Sequence, residues 1–246
     1  MHKVYGLIGY PLKHSFSPAY FKDKFTRLGI DATYYAYAIP TIHELPELIK
    51  KHPSLAGLNV TIPYKEQVLS YLDEVDSIAQ QIGAVNCIAI HAGKLKGYNT
   101  DVIGFADSLK PLLQPHHTDA LILGTGGASL AVAYALGQLG IRYTKVSRAV
   151  GDIVYADLRP EHIATHTLII NTTPVGMFPD VDAFPDLLYE AITDKHLLYD
   201  LIYNPDETAF LAKGKAQGAT IKNGHEMLVL QAEASWQIWN DYIPTV

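Results

Sequence analysis

The sequence contains one cysteine, Cys87, in 246 residues, so it cannot form an internal disulfide framework or a thiolate metal cluster. It has no run of Lys and Arg, and its net charge of −6 speaks against a nucleic-acid-binding surface. It also lacks a stretch of roughly 20 apolar residues, the length that a membrane-spanning helix needs. The N-terminus, MHKVYGLIGYPLKHS, lacks the long apolar core and cleavage site of a signal peptide. We therefore expect a soluble, cytoplasmic protein that binds neither nucleic acid nor membrane.

Apolar residues make up 48% of the chain, enough for a full hydrophobic core without disulfides or metals. The length suits one large domain or two modest ones. Short apolar strands alternate with helical patterns from end to end, which predicts an α/β fold with parallel layers. The polar segment QPHHTD (114–119) is a candidate linker, and the predicted helix before it could belong to either side.

The patterns place each element along the chain. Strands are expected at 4–9, 32–39, 58–62, 84–90, 94–99, 119–124, 142–147, 166–171, 196–201 and 219–223. Helices are expected at 17–28, 42–50, from Pro63 onward, at 102–113, from the glycine turn to about 139, and at 225–243. His91-Ala92-Gly93 is predicted to form the turn of a hairpin between the fourth and fifth strands.

A glycine-rich turn joins a predicted strand to an Ala-rich helix in LILGTGGASLAVAYALGQLG (121–140). Gly124, Gly126 and Gly127 permit a sharp turn and close approach of the backbone to a ligand, and the following helix N-terminus offers N–H donors to a pyrophosphate. Ser129 stands where the third glycine of the dinucleotide fingerprint is expected. The context of strand before and helix after favours nucleotide binding over a purely structural turn.

The tip of the next predicted strand suggests which dinucleotide is bound. An NAD site has an acidic residue there for the ribose 2′-hydroxyl, whereas this chain has Ser147-Arg148 and no acid before Asp152. Arginine suits a 2′-phosphate, so NADP is favoured, with a plain surface arginine as the alternative.

Lys65 occupies an unusual position in GLNVTIPYKE (57–66). Pro63 is suited to opening a helix, and the first turn of a helix disfavours a cation because that end carries partial positive charge. Lys65 alone is interpreted as a surface lysine offset by Glu66. If it is functional, the same helix end would help it to release a proton.

Five other features are interpreted as structural. His162 and His166 have the spacing of a helical metal site but lack a third ligand, so no metal is expected. Tyr20 and Lys24 resemble the Tyr-x-x-x-Lys pair of short-chain dehydrogenases, yet they precede the glycine turn, and we interpret the match as coincidence. The remaining three features are the solvated pair His116 and His117, the core residues Trp236 and Trp239, and the buried thiol of Cys87.

Several motifs, in order and over nearly the whole chain, resemble the shikimate dehydrogenase family. They are HSFSP (14–18), NVTIPYKE (59–66), GAVN (83–86), NTD (99–101), GTGGAS (124–129), NTTPVGM (171–177), YDLIY (199–203) and NGHEMLVLQA (223–232). The resemblance implies an N-terminal α/β substrate-binding catalytic domain at 1–101, joined by the C-terminal helix 225–246, and a Rossmann NADP-binding domain at 102–224. It further implies reversible NADPH-dependent reduction of 3-dehydroshikimate to shikimate, in the pathway to chorismate and the aromatic amino acids.

The resemblance also implies roles for individual residues. Lys65 and Asp101 would be the catalytic pair. The expected substrate-binding residues are Ser15, Ser17, Thr61, Asn86, Tyr203 and Gln231. The expected cofactor-binding residues are Gly124, Thr125, Gly126, Gly127, Ala128, Ser147, Arg148, Thr172, Met177, Leu201 and Gly224.

The departures from the family pattern fall in the cofactor half. Family members commonly have Asn-Arg-Thr at the second strand tip with another basic residue soon after, whereas this chain has Ser147-Arg148-Ala149 and then Asp152. NAD therefore stays open as a second cofactor, as does quinate as a second substrate. A non-catalytic NADP-dependent sensor on the same fold is a further alternative. The sequence leaves open whether Lys65 acts as a base or as an oriented proton donor, and whether the protein is a monomer or a homodimer.

Overall fold

The computed structural model describes residues 2–12 and 15–241. His14 of the HSFSP motif and the end of the predicted C-terminal helix lie outside these residues. The chain forms two compact units, Met1–Thr100 with Gln231–Val246 (unit 1) and Asp101–Leu230 (unit 2). The division falls inside the last helix, at Gln231, whereas the sequence placed the return to the first domain at residue 225.

Unit 1 contains a six-stranded mixed sheet. Its strands are β1 (Lys3–Gly9), β2 (Ala32–Ala38), β3 (Leu55–Val60), β4 (Glu74–Val75), β5 (Cys87–His91) and β6 (Lys94–Tyr98). They lie in the order β2-β1-β3-β5-β6-β4. The first three are parallel, and β5 runs antiparallel to both β3 and β6.

Among the described residues, three α-helices lie wholly in unit 1: α1 (Phe16–Leu28), α2 (Leu45–Lys51) and α3 (Ser77–Ile82). Gly29 ends α1 and Gly83 ends α3, both in the left-handed conformation that glycine adopts most easily. Asp76 starts α3, because its side chain accepts a hydrogen bond from the backbone N–H of Ile78 at 2.9 Å.

Unit 2 contains a six-stranded sheet whose paired strands are all parallel. Its strands are β7 (Asp119–Leu123), β8 (Arg142–Ser147), β9 (Ile153–Val154), β10 (Leu168–Asn171), β11 (Leu197–Asp200) and β12 (Thr220–Lys222). The order β12-β11-β10-β7-β8-β9 reverses direction between β7 and β10. In doubly wound sheets of this order, ligands bind at the carboxyl ends of the strands beside that reversal.

The helices of unit 2 are α4 (Asp101–Leu109), α5 (Gly127–Gln138), α6 (Pro160–Thr165), α7 (Ala209–Ala216) and α8 (His225–Asp241). The last of these, α8, continues into unit 1, where Trp239 packs in the core with Tyr5 and Phe21. Apolar side chains of β7, β10 and β11, with Phe210 of α7, form the core of unit 2.

Most predicted elements are present, and the hairpin between β5 and β6 is confirmed. Its two turn residues, Ala92 and Gly93, have φ values of 49° and 80°, which suits a tight hairpin turn. The expectation of parallel layers is correct for unit 2 but only partly correct for unit 1, because β5 and β6 reverse direction. In the part of the chain that the structure describes, no helix combines the length and apolar character needed to cross a membrane.

Candidate active site

Lys65 lies in a turn after β3, and the helix predicted to begin at Pro63 is wrong. The carbonyl of Lys65 accepts a hydrogen bond from the N–H of Val85 at 2.8 Å, and the N–H of Leu69 donates to the carbonyl of Glu66 at 3.3 Å, not to that of Lys65 as an α-helix requires. A 3₁₀ helix begins only at Gln67. Lys65 therefore does not lie in the first turn of an α-helix. Its backbone is held instead by the hydrogen bond from Val85, the residue before Asn86.

Asn86 anchors a buried polar cluster in unit 1. Its Oδ1 accepts the backbone N–H of Thr100 at 2.6 Å, and its Nδ2 lies 3.5 Å from Oε1 of Gln231 on α8. Asn86, Thr100 and Gln231 are all buried. The structure thus brings together two of the predicted substrate-binding side chains, Asn86 and Gln231.

The same cluster continues through hydroxyl and amide groups that the sequence did not single out. The hydroxyls of Thr100 and Ser235 share a hydrogen bond of 3.1 Å, and Asn59 Nδ2 donates to Ser235 Oγ at 2.9 Å. Tyr34 donates its hydroxyl to Asn59 Oδ1 at 2.8 Å and is also hydrogen-bonded to Ser17. Hence a chain of buried polar groups, here called the Asn59 network, links the predicted substrate residues Ser17, Asn86 and Gln231.

The remaining predicted residues of this region lie at the ends of elements. Thr61 follows β3, where its N–H donates to the carbonyl of Ile8 at 2.9 Å, and Ser15 precedes the first residue of α1. Asp101 is the first residue of α4 and is buried, one residue earlier than the predicted helix start. A carboxylate at this end of a helix is stabilised by the partial positive charge there.

The glycine turn of unit 2 is shaped by Gly124 at the end of β7. Gly124 has φ +107°, and a Cβ at this position would lie 2.8 Å from Oγ1 of Thr172. Thr172 follows β10 and donates its hydroxyl to the carbonyl of Leu123 at 2.6 Å. The predicted cofactor residues Gly124 and Thr172 are therefore in contact, at the carboxyl ends of adjacent strands.

The N-terminus of α5 is open for a ligand. A Cβ built on Gly126 would meet no atom within 4 Å, and Thr125 beside it is exposed. Gly127 and Ala128 form the first turn of this 12-residue helix. Ser129, in place of the third fingerprint glycine, is buried and donates to the carbonyl of Gly126 at 2.6 Å. This cradle of backbone N–H groups and open space fits the pyrophosphate of a dinucleotide.

Ser147 and Arg148 lie at the tip of β8. Ser147 is buried, and its Oγ accepts the N–H of Val150 at 2.8 Å. The Arg148 side chain is exposed. Burial raises the pKa of Tyr155 to about 12, and the nearby positive charge of Arg148 partly opposes this rise. An exposed guanidinium beside the cradle is suited to a phosphate monoester.

Asp200, in the YDLIY motif, is a buried carboxylate to which the sequence assigned no role. It accepts hydrogen bonds from Asn171 Nδ2 at 3.0 Å, from the N–H of Ile202 at 3.0 Å and from Thr208 Oγ1 at 2.6 Å. Burial raises the pKa of Asp200 to about 6, although these three hydrogen bonds oppose the rise. Asp200 thereby ties the loops after β10 and β11 together.

Those loops carry the other predicted residues of unit 2. Gly224 lies directly against Leu201, because a Cβ on Gly224 would be 2.1 Å from the Leu201 carbonyl oxygen. Tyr203 is half-buried, and this burial raises its pKa. The side chain of Met177 is 46% exposed.

The structure also places residues that the sequence analysis interpreted as structural, and it corrects one of those interpretations. Tyr20 and Lys24 both hydrogen-bond to Glu233 on α8, which supports a structural role. His117 is buried and not solvated as expected; its Nδ1 accepts the N–H of Gln114 at 2.9 Å, and its Nε2 lies 3.2 Å from the carbonyl of Lys195. Among the described residues no group of His, Cys, Asp and Glu is arranged to hold a metal.

The doubly wound sheet of unit 2 and its glycine cradle define a protein of the dinucleotide-binding α/β class. Residues 7–88 match the family model described as the shikimate dehydrogenase substrate binding domain. A shikimate dehydrogenase (NADP(+)) from Caldanaerobacter subterraneus subsp. tengcongensis is 38% identical over 261 residues, covering 96% of this chain and 91% of the relative. The chain belongs to the shikimate dehydrogenase family.

Two solved structures illustrate the range of similar proteins. Shikimate 5-dehydrogenase from Thermus thermophilus, in complex with NADP(H) and shikimate, is 33% identical with a TM-score of 0.86, covering 99% of this chain and 95% of that one. The ligand-free 5-ketofructose reductase of Gluconobacter sp. strain CHM43 is 30% identical with a TM-score of 0.85, covering 100% and 95%.

Proposed function

We propose that this protein is an NADP-dependent oxidoreductase that reversibly reduces 3-dehydroshikimate to shikimate, a step in the biosynthesis of chorismate and the aromatic amino acids. The observation that carries the proposal is the Asn59 network, which gathers predicted substrate residues from three separate parts of the sequence. A polyhydroxylated ring needs many fixed donors and acceptors, and a buried hydrogen-bonded cluster provides them with little rearrangement.

Each predicted substrate residue offers a group of suitable chemistry. The hydroxyls of Ser15 and Ser17, near the start of α1, would donate to the substrate carboxylate. The ring hydroxyls would bind to the other predicted substrate residues, which are Thr61, Asn86, Tyr203 and Gln231, together with Asp101. Residues 1–101 with the C-terminal helix would form the substrate-binding domain, and 102–224 the dinucleotide-binding domain.

Lys65 and Asp101 would move the proton. The bound dinucleotide would supply the hydride that the C3 carbonyl receives. The carbonyl oxygen must then gain one proton, which Lys65 would deliver; in the reverse direction Lys65 would receive the proton of the C3 hydroxyl. The carboxylate of Asp101 would hold the Lys65 ammonium in place. The pairing of Lys65 with Asp101 stays a prediction.

The residues around the glycine cradle would hold the cofactor. Gly124 to Ala128 would bind the pyrophosphate, and Ser147 and Arg148 the 2′-phosphate of NADP. Leu201, Gly224 and Met177 would line the nicotinamide site, and Thr172 would be a further contact of the cofactor.

A spectrophotometric assay tests the proposal directly. We expect shikimate-dependent reduction of NADP, followed by the absorbance of NADPH, with a higher kcat/KM for NADP than for NAD. Parallel reactions with quinate measure the choice of substrate. Absence of any shikimate-dependent reduction by folded protein would overturn the enzymatic proposal and favour a non-catalytic sensor that binds NADP.

A second candidate is 5-ketofructose reduction, which the similarity to the Gluconobacter enzyme favours. A ketose has no carboxylate for Ser15 and Ser17 to bind, so the two functions respond differently to loss of these hydroxyls. Ser15→Ala combined with Ser17→Ala should raise KM for shikimate by roughly tenfold or more. A preference of the wild type for 5-ketofructose, with no effect of these substitutions, would support the second candidate.

The compartment and the assembly also stay predictions. We propose a cytoplasmic protein that is a monomer or a homodimer, and size-exclusion chromatography with light scattering would distinguish the two assemblies.

A further inference from the structure

The loop that carries Arg148 is short and fixed at both ends. Residues 148–152 connect β8 to β9, which lie parallel and adjacent, with Ser147 beside Val154. Arg148, Ala149 and Val150 are exposed. At the near end, Ser147 Oγ accepts the N–H groups of Ala149 and Val150 at 3.3 and 2.8 Å.

Asp152 fixes the far end of this loop. Its Oδ2 accepts the backbone N–H of Lys145 at 2.8 Å, and its own N–H donates to the Lys145 carbonyl at 3.0 Å. Gly151 passes so close to β8 that a Cβ would lie 2.9 Å from the Lys145 carbonyl oxygen. The loop is thus clamped to β8 by both the side chain and the backbone of Asp152.

The position of Asp152 argues against a role as a ribose ligand. In dinucleotide-binding sheets the 2′ position is read at the tip of the second strand, which is here Ser147. Asp152 instead bonds to Lys145, two residues before that tip and roughly 6–7 Å back along the strand. Its side chain lines an open cleft of about 430 Å³ together with Asp157, Arg159 and His162.

We propose that Asp152 is a positioning residue that determines selectivity for NADP by holding the Arg148 loop in place. The inference rests on the proposed function, since it assumes that the 2′-phosphate meets Arg148. This loop presents one guanidinium and no second basic residue in 147–152. The phosphate contact therefore depends on how well that guanidinium is held, because a loop that is ordered before binding loses less conformational entropy on binding.

Two substitutions at one position separate the clamp from the charge. Asp152→Asn removes the negative charge but keeps an oxygen that can accept the Lys145 N–H. Asp152→Ala removes both. The matched control is Asp157→Ala, which deletes another exposed carboxylate from the same cleft. Dissociation constants of NADP and NAD are measured by calorimetry on each full-length variant without substrate.

For Asp152→Ala we expect roughly tenfold weaker NADP binding than for Asp152→Asn, with NAD binding changed less than about twofold. Asp152→Asn and Asp157→Ala should bind NADP within about threefold of the wild type. If Asp152→Ala fails to fold by circular dichroism, Asp152→Glu takes its place, since it keeps the charge but displaces the acceptor, and the same loss confined to NADP is expected.

Three outcomes would overturn the proposal: equal NADP affinity of Asp152→Ala and Asp152→Asn, equal losses for NADP and NAD, or a wild type without preference for NADP. A gain in NADP affinity for both Asp152 variants would identify simple charge repulsion instead. The shikimate assay is independent of these measurements. If the protein lacks shikimate activity but its NADP affinity falls in Asp152→Ala as expected, only the proposed reaction is refuted. If the protein is active but the Asp152 substitutions leave NADP affinity unchanged, only the proposed role of Asp152 is refuted.

Discussion

Asn59 on β3 donates a hydrogen bond to the hydroxyl of Ser235 on α8, 2.9 Å away and fully inside unit 1. The two residues are separated by 176 positions in the chain. Their contact fixes the second half of α8 against the sheet, at the helix turn that follows Gln231. It also places the Ser235 hydroxyl where it meets Thr100, the residue directly before Asp101.

Removing the Ser235 hydroxyl should weaken unit 1. Ser235→Ala deprives two buried groups, Asn59 Nδ2 and Thr100 Oγ1, of a partner, so we expect the free energy of unfolding to fall by about 1–3 kcal/mol. Both tryptophans of the sequence, Trp236 and Trp239, lie in unit 1, so urea unfolding followed by tryptophan fluorescence reports this unit. The exposed Ser70 provides the control, since Ser70→Ala should change stability by less than about 0.5 kcal/mol. Equal stability of Ser235→Ala and the wild type would contradict the importance of the network.

Lys65 can be tested without disturbing its backbone. The bond from Val85 uses the Lys65 carbonyl, so it survives any change of side chain. We expect Lys65→Ala and the similarly sized Lys65→Met each to lower kcat by about 10²-fold or more, as for a lost acid–base group. Circular dichroism confirms folding, and initial rates with NADP and shikimate give kcat. Near-normal kcat in a folded variant would remove Lys65 from the proposed catalytic pair.

Two neighbouring glycines should fail in different ways when changed to alanine. At Gly126 the added methyl group meets only open space, so Gly126→Ala should fold normally but weaken NADP binding on the order of tenfold. At Gly124 the φ of +107° and the contacts with Thr172 and Thr173 make the substitution strained, with an expected loss of about 1–3 kcal/mol. Thermal unfolding and calorimetric NADP titration of both variants separate these effects. Unchanged cofactor affinity in Gly126→Ala would argue against the cradle.

Asp200 should make unit 2 less stable as the pH rises from 4 to 7. Its pKa is about 6 in the folded protein and roughly 4 when unfolded, so between these values the folded state binds more protons. Stability therefore falls as the pH rises through this window and levels off above it. The neutral Asp200→Asn variant lacks this dependence, so its stability relative to the wild type should increase by about 2–3 kcal/mol from pH 4 to pH 7.

Unfolding in urea followed by circular dichroism measures that difference, because unit 2 contains neither tryptophan. Comparing the two proteins at each pH cancels the titration of all other groups. A pH-independent difference would mean that Asp200 keeps an ordinary pKa in the folded state.

Sequence patterns predicted the elements whose conformation depends on residues close together in the chain. The turn at Ala92-Gly93 and the strand–turn–helix around Gly124 follow from short-range preferences, and both are present. The short helix α3 was missed although its signals, Asp76 before it and Gly83 after it, are visible in the sequence. The two-residue strands β4 and β9 carry too few residues for a periodic pattern to reveal them.

The predictions differ from the structure where a hydrogen bond joins residues that are far apart in the chain. Where a helix was expected from Pro63, the Lys65 carbonyl accepts the N–H of the distant Val85, and the buried His117 contacts the carbonyl of the distant Lys195 through Nε2 at 3.2 Å. Neither partner is detectable from local propensity. Asp200 was overlooked for the same reason, since only the folded chain brings Asn171 and Thr208 to its carboxylate.

The sequence by itself determined most of the strands and helices, the glycine turn and the family motifs, because these depend on residues that are close together in the chain. Only the tertiary structure decided the strand order, the clamp between Asp152 and Lys145, and the buried contacts that join Ser17 to Gln231. Hydrogen bonds between remote residues depend on distances of a few tenths of an ångström, and these are set by the packing of whole elements.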